Sequence, residues 1–448
     1  MTNPRKILDK NIAEQKAEKK SSPPSSDSKK ERRPGAIEEL KKLVSSVYLI
    51  NDPYITELML ASLFSHRLPA DPAWIVIVGP SGGAKSEFIN MLSTCKDVYP
   101  LSTLSSHTFI SGMKRAGQEA SLLLRIKNGV LTFKDMTSLL SENKDDRSVI
   151  MAQLREIYDG KYSKTFGTGE VINWTGKITV IAGATYAIHT LKQAYTAMGE
   201  RFLFYNMIQP DRIDAARRTM QNQEEGKMVE KRAMLAEAFR KIIDEDLVIP
   251  DELPNITKEL QDELLDLAEL ATRARSETER NWRSPQMEII EAHPPEMPTR
   301  FAGQLQTIAK TLMIIAYNET GTAELTEQHR HILYKLALDS ITKSKRTALQ
   351  ELARYDVLET AGLATKIGFP TNTIRRWLED LTALGVAERE RGSGPKGDRW
   401  RIISKYRRIM AKFENIEMQG GELTETTAED REQMLQDAED QINIDGLL

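Results

Sequence analysis

The feature that most limits what this chain can fold into is an apolar run that turns abruptly into a loop of small residues: Trp74-Ile-Val-Ile-Val-Gly-Pro-Ser-Gly-Gly-Ala-Lys-Ser86. Gly79, Lys85 and Ser86 fall at the spacing G-x-x-x-x-G-K-[ST], with Ala84 where the second glycine is usual. Small residues at Gly79, Pro80, Ser81, Gly82, Gly83 and Ala84 allow successive backbone N–H groups to curl around a phosphate. The Lys85 ammonium is then in reach of the β- and γ-phosphates, and the Ser86 hydroxyl is a ligand for Mg²⁺. Glu87, followed by Phe88-Ile89 and Met91-Leu92, opens a helix whose N-terminus faces the anion. These residues describe a site for a nucleoside triphosphate, with ATP and Mg²⁺ as its ligands. Ala84 is expected at negative φ, as for a residue entering a helix.

The remaining sequence narrows the setting. The 448 residues allow two or three domains, and 40% hydrophobic with 28% charged residues is an ordinary globular balance with polar flanks. No run of 18 apolar residues occurs, so no transmembrane helix and no membrane partner are expected. The Lys-rich N-terminus lacks the apolar centre of a secretory signal. Cys95 is the only cysteine, which excludes internal disulfides and cysteine-based zinc sites, and the six histidines have no ligand-like spacing. A cytoplasmic location is expected.

Charge and periodicity divide the chain. Residues 1–34 carry ten Lys/Arg against five Asp/Glu and read as a disordered basic arm. Two helices are expected over 36–68, from the stripes Ile37, Leu40, Leu43, Val44 and Ile55, Leu58, Met59, Leu63. Within 35–210, apolar strands at 74–78, 129–135 and 177–185 alternate with helices, which predicts a parallel three-layer α/β sheet. Tyr162–Trp174, centred on Gly167-Thr-Gly169, reads as a hairpin. Residues 211–345 have a helical pattern broken at Pro250, Pro254 and Pro294-Pro295. Residues 346–408, with 13 Lys/Arg against 8 Asp/Glu, read as a winged helix. Leu358–Ile367 is its supporting helix, Thr371–Leu381 its recognition helix, and Ala387–Ile402 its β-wing. The segment 409–448 reads as an acidic, disordered tail, with 11 Asp/Glu and one Arg between 414 and 448.

Further residues carry the chemistry. Asp135 ends an apolar strand, where a second carboxylate would hold Mg²⁺ together with Ser86. Met136 follows it, so a water-polarising glutamate is missing at that position, and Glu156 or Asp159 is the nearest substitute. Thr185 closes another strand and offers a hydroxyl to the γ-phosphate or the attacking water. Arg201, in Met198-Gly-Glu-Arg-Phe202, suits an arginine finger given to a neighbouring subunit. Arg300 opens a long apolar helix and is a candidate phosphate contact. Lys161 and Lys164 in the hairpin, and Arg375, Arg376, Lys396 and Arg399 in the winged helix, are the candidate DNA contacts.

This order of elements resembles the AAA+ ATPases, and more narrowly the minichromosome maintenance type of helicase and the replication ATPases of phages and plasmids. The likeness covers roughly residues 50–400. Ala before Lys-Ser in Gly83-Ala84-Lys85-Ser86 is similar to the phosphate loop of that type. The resemblance implies that Thr185 stands at their sensor-1 asparagine, Arg201 at their finger, Arg300 at their sensor-2 arginine, and the 161–174 hairpin at a DNA-contacting hairpin. The chain departs from the type in lacking an Asp-Glu pair, in carrying Thr for Asn, and in having no zinc-bearing N-terminal domain. The implied protein is an ATP-hydrolysing, homo-oligomeric (hexameric) ring that moves DNA for a phage, plasmid or integrative element, with replication proteins as partners. Two other readings stand beside it: an ATP-switched helicase loader or initiator, and a nucleotide-sensing DNA-binding regulator or defence protein.

Overall fold

A computed structural model describes residues 31–420, apart from 103, 106–107, 111–120, 141, 168, 190–200, 225, 282, 285–286 and 393–396. The basic arm before residue 31, the acidic tail after 420 and Lys396 lie outside the described residues.

Five strands form the central sheet: β1 (Trp74–Val78), β2 (Val98–Leu101), β3 (Asn128–Phe133), β6 (Lys177–Ala184) and β7 (Phe202–Asn206). Their order is β2-β3-β6-β1-β7, and every pairing is parallel. Between β3 and β6 the chain makes a helix, Lys144–Tyr158, and then the antiparallel hairpin β4 (Lys161–Thr165) and β5 (Val171–Thr175). Alternation along β1 sends Ile75 and Ile77 into one apolar cluster and Trp74, Val76 and Val78 into a second. The sheet is therefore covered on both faces, which is why its central strands read as continuous apolar runs rather than alternating ones.

The expected helices before β1 form over Ala36–Val47 and Ile55–Phe64. The first is amphipathic as expected, but all ten residues of the second are buried, so its apolar stripe was only part of its buried surface. Strand β2 carried little sequence signal. Its Val-Tyr-Pro-Leu run includes Pro100, which a sheet tolerates at an edge, where β2 lies.

Strand β7 occupies the other edge, and three side chains accept its outward N–H groups. Phe204 N–H donates to Ser340 Oγ at 3.2 Å, Asn206 N–H to Asp339 Oδ2 at 2.8 Å, and Ile208 N–H to Asp52 Oδ2 at 2.9 Å. Burial alone would push the Asp339 carboxyl up, but Lys335 and Arg346 hold it below its ordinary value. The edge is thus sealed by a charged, hydrogen-bonded seam, in which Ser340 and Asp339 come from the end of helix Glu327–Asp339 and Asp52 from the turn before helix Ile55–Phe64.

Residues 211–345 are mainly helical, with the expected break around Pro250 and Pro254 spanning 247–257. A hairpin of β8 (Thr278–Arg280) and β9 (Ile289–Ala292) interrupts the expected helical stretch. The long helix Thr299–Thr320 docks on the start of β1. Its Gln304 Oε1 accepts the Trp74 amide at 3.2 Å, and Thr307 Oγ1 donates to Asp71 O at 3.2 Å.

The last part runs helix Lys343–Arg354, β10 (Leu358–Glu359), helices Thr360–Ile367 and Thr371–Ala383, β11 (Ala387–Glu390), β12 (Arg399–Ile402) and helix Ser404–Gly420. Its strands form a small antiparallel sheet in the order β10-β12-β11. The expected supporting helix begins two residues late, because Leu358 and Glu359 pair with Trp400 and Arg399. Gly368 ends that helix at φ 80°, in the left-handed region that glycine adopts at no steric cost. The boundaries read after 345 and after 408 both fall inside helices, since the packing there is continuous, and residues 409–420, expected to be disordered, continue the last helix.

Candidate nucleotide site

The loop 79–84 leaves the carboxyl end of β1, beside the ends of β6 and β7. Gly79 N–H still donates to Ala184 O at 3.2 Å, which ties the loop's first residue to β6. Gly83 N–H turns back to Pro80 O at 3.1 Å, and the helix Lys85–Met91 follows. Gly82 has φ 80° and Ala84 has φ 62°. Ala84 therefore occupies the left-handed region, contrary to the expectation of negative φ. The turn into the helix dictates this conformation, and it costs an L-residue roughly 1–2 kcal/mol.

Lys85 is buried, and its ammonium donates to Gly79 O at 2.7 Å and Pro80 O at 2.5 Å. Burial lowers the ammonium below its ordinary value, and the Asp135 carboxylate opposes that shift. Ser86 is exposed on the next helical position. Glu87, by contrast, is fully engaged: Tyr48 Oη donates to it at 2.9 Å, and Arg232 donates at 2.8 and 2.7 Å. It braces the loop's helix against the neighbouring helices rather than facing an anion.

Asp135 stands two residues beyond β3, in a turn its own side chain closes. Its Oδ1 accepts Thr137 N–H at 2.9 Å, and its carbonyl accepts Ser138 Oγ–H at 2.9 Å. Thr137 in turn binds Thr185: Thr185 N–H donates to Thr137 Oγ1 at 2.8 Å, and the two hydroxyls are 3.2 Å apart. Asp135, Thr137 and Thr185 thus form one polar group at the ends of β3 and β6. Thr137 escaped sequence reading, although an aspartate two residues before a threonine is a local signal of this turn. Asp135 Oδ2 has no hydrogen-bond partner among the described residues. With the exposed Ser86 hydroxyl it fits the partial ligand set that Mg²⁺ takes when substrate phosphates and waters complete its shell.

The other candidates lie at the far end of the sheet. Arg201 immediately precedes β7, and its Phe202 packs on Trp74, the first residue of β1, with ring centroids 5.0 Å apart. The guanidinium reaches Asp159 at 3.3 Å and lies 5.6 Å from the Tyr158 ring centroid. Its Nε is buried without a partner among the described residues. Burial lowers its pKa, Asp159 opposes this, and the nearby charge of Arg300 adds to it. Arg300 opens the helix that docks on Asp71 and Trp74, so it belongs to the same end. Five residues of β1, at ~3.3 Å each, put about 16 Å between that end and the loop. Neither arginine reaches the loop 79–84 of its own chain. Glu156 and Asp159, at the end of helix Lys144–Tyr158, are on this far side as well, so the structure does not bring either candidate base to Lys85.

The candidate DNA contacts differ in availability. Lys161 is exposed at the start of the hairpin, whereas Lys164 folds back to Ile110 O at 3.3 Å. Arg375 is exposed on the helix Thr371–Ala383. Its neighbour Arg376 is half-buried, and burial together with Arg280 lowers its pKa. Arg280 anchors the β8–β9 hairpin to that helix, donating to Asp380 at 2.6 Å and to Arg376 O at 2.9 Å. On the β11–β12 face, Arg399 is 3.8 Å from Glu390, Arg401 donates to Glu388 at 2.6 Å, and Arg389 pairs with Asp398.

No protein-family model matches the chain, and no curated protein matches it in sequence. Among the described residues, no helix is long and apolar enough to cross a membrane.

Proposed function

We propose that the chain is an ATP-hydrolysing ATPase of the AAA+ kind, acting as a ring-forming DNA motor or helicase for a phage, plasmid or integrative element. The observation that carries this reading is the division of charged groups between the two ends of one parallel sheet. Lys85, Ser86, Asp135 and Thr185 gather at the carboxyl ends of the strands. Arg201 and Arg300 lie a strand's length away, where they serve a nucleotide only if it is held by a neighbouring copy. Such a composite site makes hydrolysis depend on assembly, and the β4–β5 hairpin is then the element moved along DNA. The reading of the last module as a winged helix draws support from its helix–strand order and three-stranded antiparallel sheet.

A loader or initiator that uses ATP as an assembly switch is the second reading. It is favoured by the distance of Glu156 and Asp159 from Lys85, which leaves the attacking water without the base assigned to it. The paired acids and bases on the β11–β12 face weaken the case for a nucleic-acid surface there and leave room for protein docking or regulation.

ATP hydrolysis by gel-filtered protein, measured without DNA, with single-stranded DNA and with duplex, tests the proposal. Turnover stimulated by DNA in an oligomeric fraction supports the motor. Slow turnover without strand separation favours the loader. Sequence-specific duplex binding with no stimulation favours the regulator.

A further inference from the structure

We propose that Gln209, just beyond β7, is a further nucleotide-binding residue of the phosphate loop. This rests on the reading of residues 79–86 as a nucleotide site. A Cβ placed on Gly83 would stand 2.6 Å from Gln209 Oε1, and one placed on Gly79 would stand 3.0 Å from its Nε2. The carboxamide therefore lies against both ends of the loop, and a side chain at either position would have to push it aside. One N–H of Nε2 is committed to Met207 O at 3.0 Å. Among the described residues, the second N–H and Oε1 have no hydrogen-bond partner.

The backbone around Gln209 is held from both sides. Met207 N–H donates to Val78 O at 2.8 Å, which joins the end of β7 to the residue before the loop. Ile208 N–H is held by the buried Asp52 carboxylate at 2.9 Å, and Tyr205 Oη donates to the same carboxylate at 2.7 Å. A neutral amide fixed in this way beside an anion-binding loop has a donor to give to a phosphate oxygen. It does so from the side of the loop opposite Asp135 and Thr185, since β6 and β7 flank β1.

The test is equilibrium binding of MgATP to the full chain and to Gln209→Met, Gln209→Ala and Gln209→Glu, with melting temperatures recorded without nucleotide to verify folding. Met keeps the volume and deletes the amide, so affinity should fall roughly tenfold, as for a lost hydrogen bond to a charged group. Ala should fall by a similar factor, because both variants lose the same donor. Glu should fall furthest, since it sets a carboxylate against a polyanion. Parental affinity in Gln209→Met, or a loss in Ala that Met does not share, would make Gln209 a packing spacer and overturn the proposal. Equal losses in Glu and Met would overturn it too. Failure of the parent chain to bind ATP would instead remove the nucleotide site itself.

Discussion

Arg201 donates to Asp159 of its own chain at 3.3 Å, at the end of the sheet away from the loop 79–84. This pairing offers two roles for the arginine, and they part on mutation. As a finger for a neighbouring subunit, Arg201→Ala binds ATP normally and loses hydrolysis by roughly 10³–10⁵. Asp159→Asn, which only releases the guanidinium, then costs far less. Mixing Arg201→Ala with Lys85→Ala should recover part of the activity through intact composite sites. Equal losses from both substitutions, with no recovery despite co-assembly, would make the arginine structural.

Lys85→Ala should abolish nucleotide binding or turnover, because Lys85 is the ammonium set within the loop. Asp135→Asn should leave ATP binding largely intact and weaken Mg²⁺-dependent hydrolysis. Binding and steady-state turnover measured on both variants decide this, and parental rates in both would remove the assigned site.

Ala84→Gly should stabilise the chain by about 1 kcal/mol, because glycine adopts the left-handed conformation that strains alanine at φ 62°. Chemical denaturation of the parent and the variant measures the difference. A destabilised variant would mean that the gain in unfolded-chain entropy outweighs the strain.

Arg375→Ala should flatten the slope of log affinity against log salt on duplex DNA by about 0.9, the value for one lost phosphate contact. Arg399→Ala should change it less, since Glu390 already faces that guanidinium at 3.8 Å. The combined Arg375, Arg376, Lys396 and Arg399 alanine variant should lose affinity regardless of sequence. An unchanged slope in the combined variant would move the contact to Lys161 and the β4–β5 hairpin.

His331 is 2% exposed, stacked on Tyr54 at 4.2 Å and on Phe413 at 5.3 Å, and its Nδ1 has no partner among the described residues. Burial, reinforced by the charge of Lys335, pushes its imidazole down to about 4. The unfolded chain titrates near 6.5, so between those values it binds a proton that the folded chain does not. The contribution of His331 to stability is then complete above about pH 6.5 and is lost with acid down to about pH 4, by on the order of 3 kcal/mol at most. His331→Phe should keep the stacking and remove only part of that fall, leaving the share of His189, whose imidazole burial also lowers to about 4. An identical pH dependence of unfolding in the variant would clear His331 of the effect.

The passage from β1 through the small-residue loop 79–84 into the helix Lys85–Met91 was legible because it is set locally: an apolar strand, a turn of small residues and a helix start. The strands at 129–135 and 177–185 were legible for a different reason, since burial on both faces leaves unbroken apolar runs. The backbone of Ala84 was not, because the chain's route from β1 into its helix overrides the residue's own preference. The positions of Glu156 and Arg300 were also hidden. Each depends on which end of the sheet a helix meets, a long-range property that spacing does not carry. Gln209 lacked any motif, as its place beside Gly79 and Gly83 follows only from β7 lying next to β1.

The seam along β7 has a consequence for how copies of this chain can meet. An edge strand with free N–H groups is a template on which another chain can add a strand, and it invites aggregation. Here Ser340, Asp339 and Asp52 have already taken that row. Strand addition at this edge of the sheet is closed, so a contact made here that brings Arg201 to a neighbour's loop would be built from side-chain surfaces, which can part and re-form without unzipping a ladder.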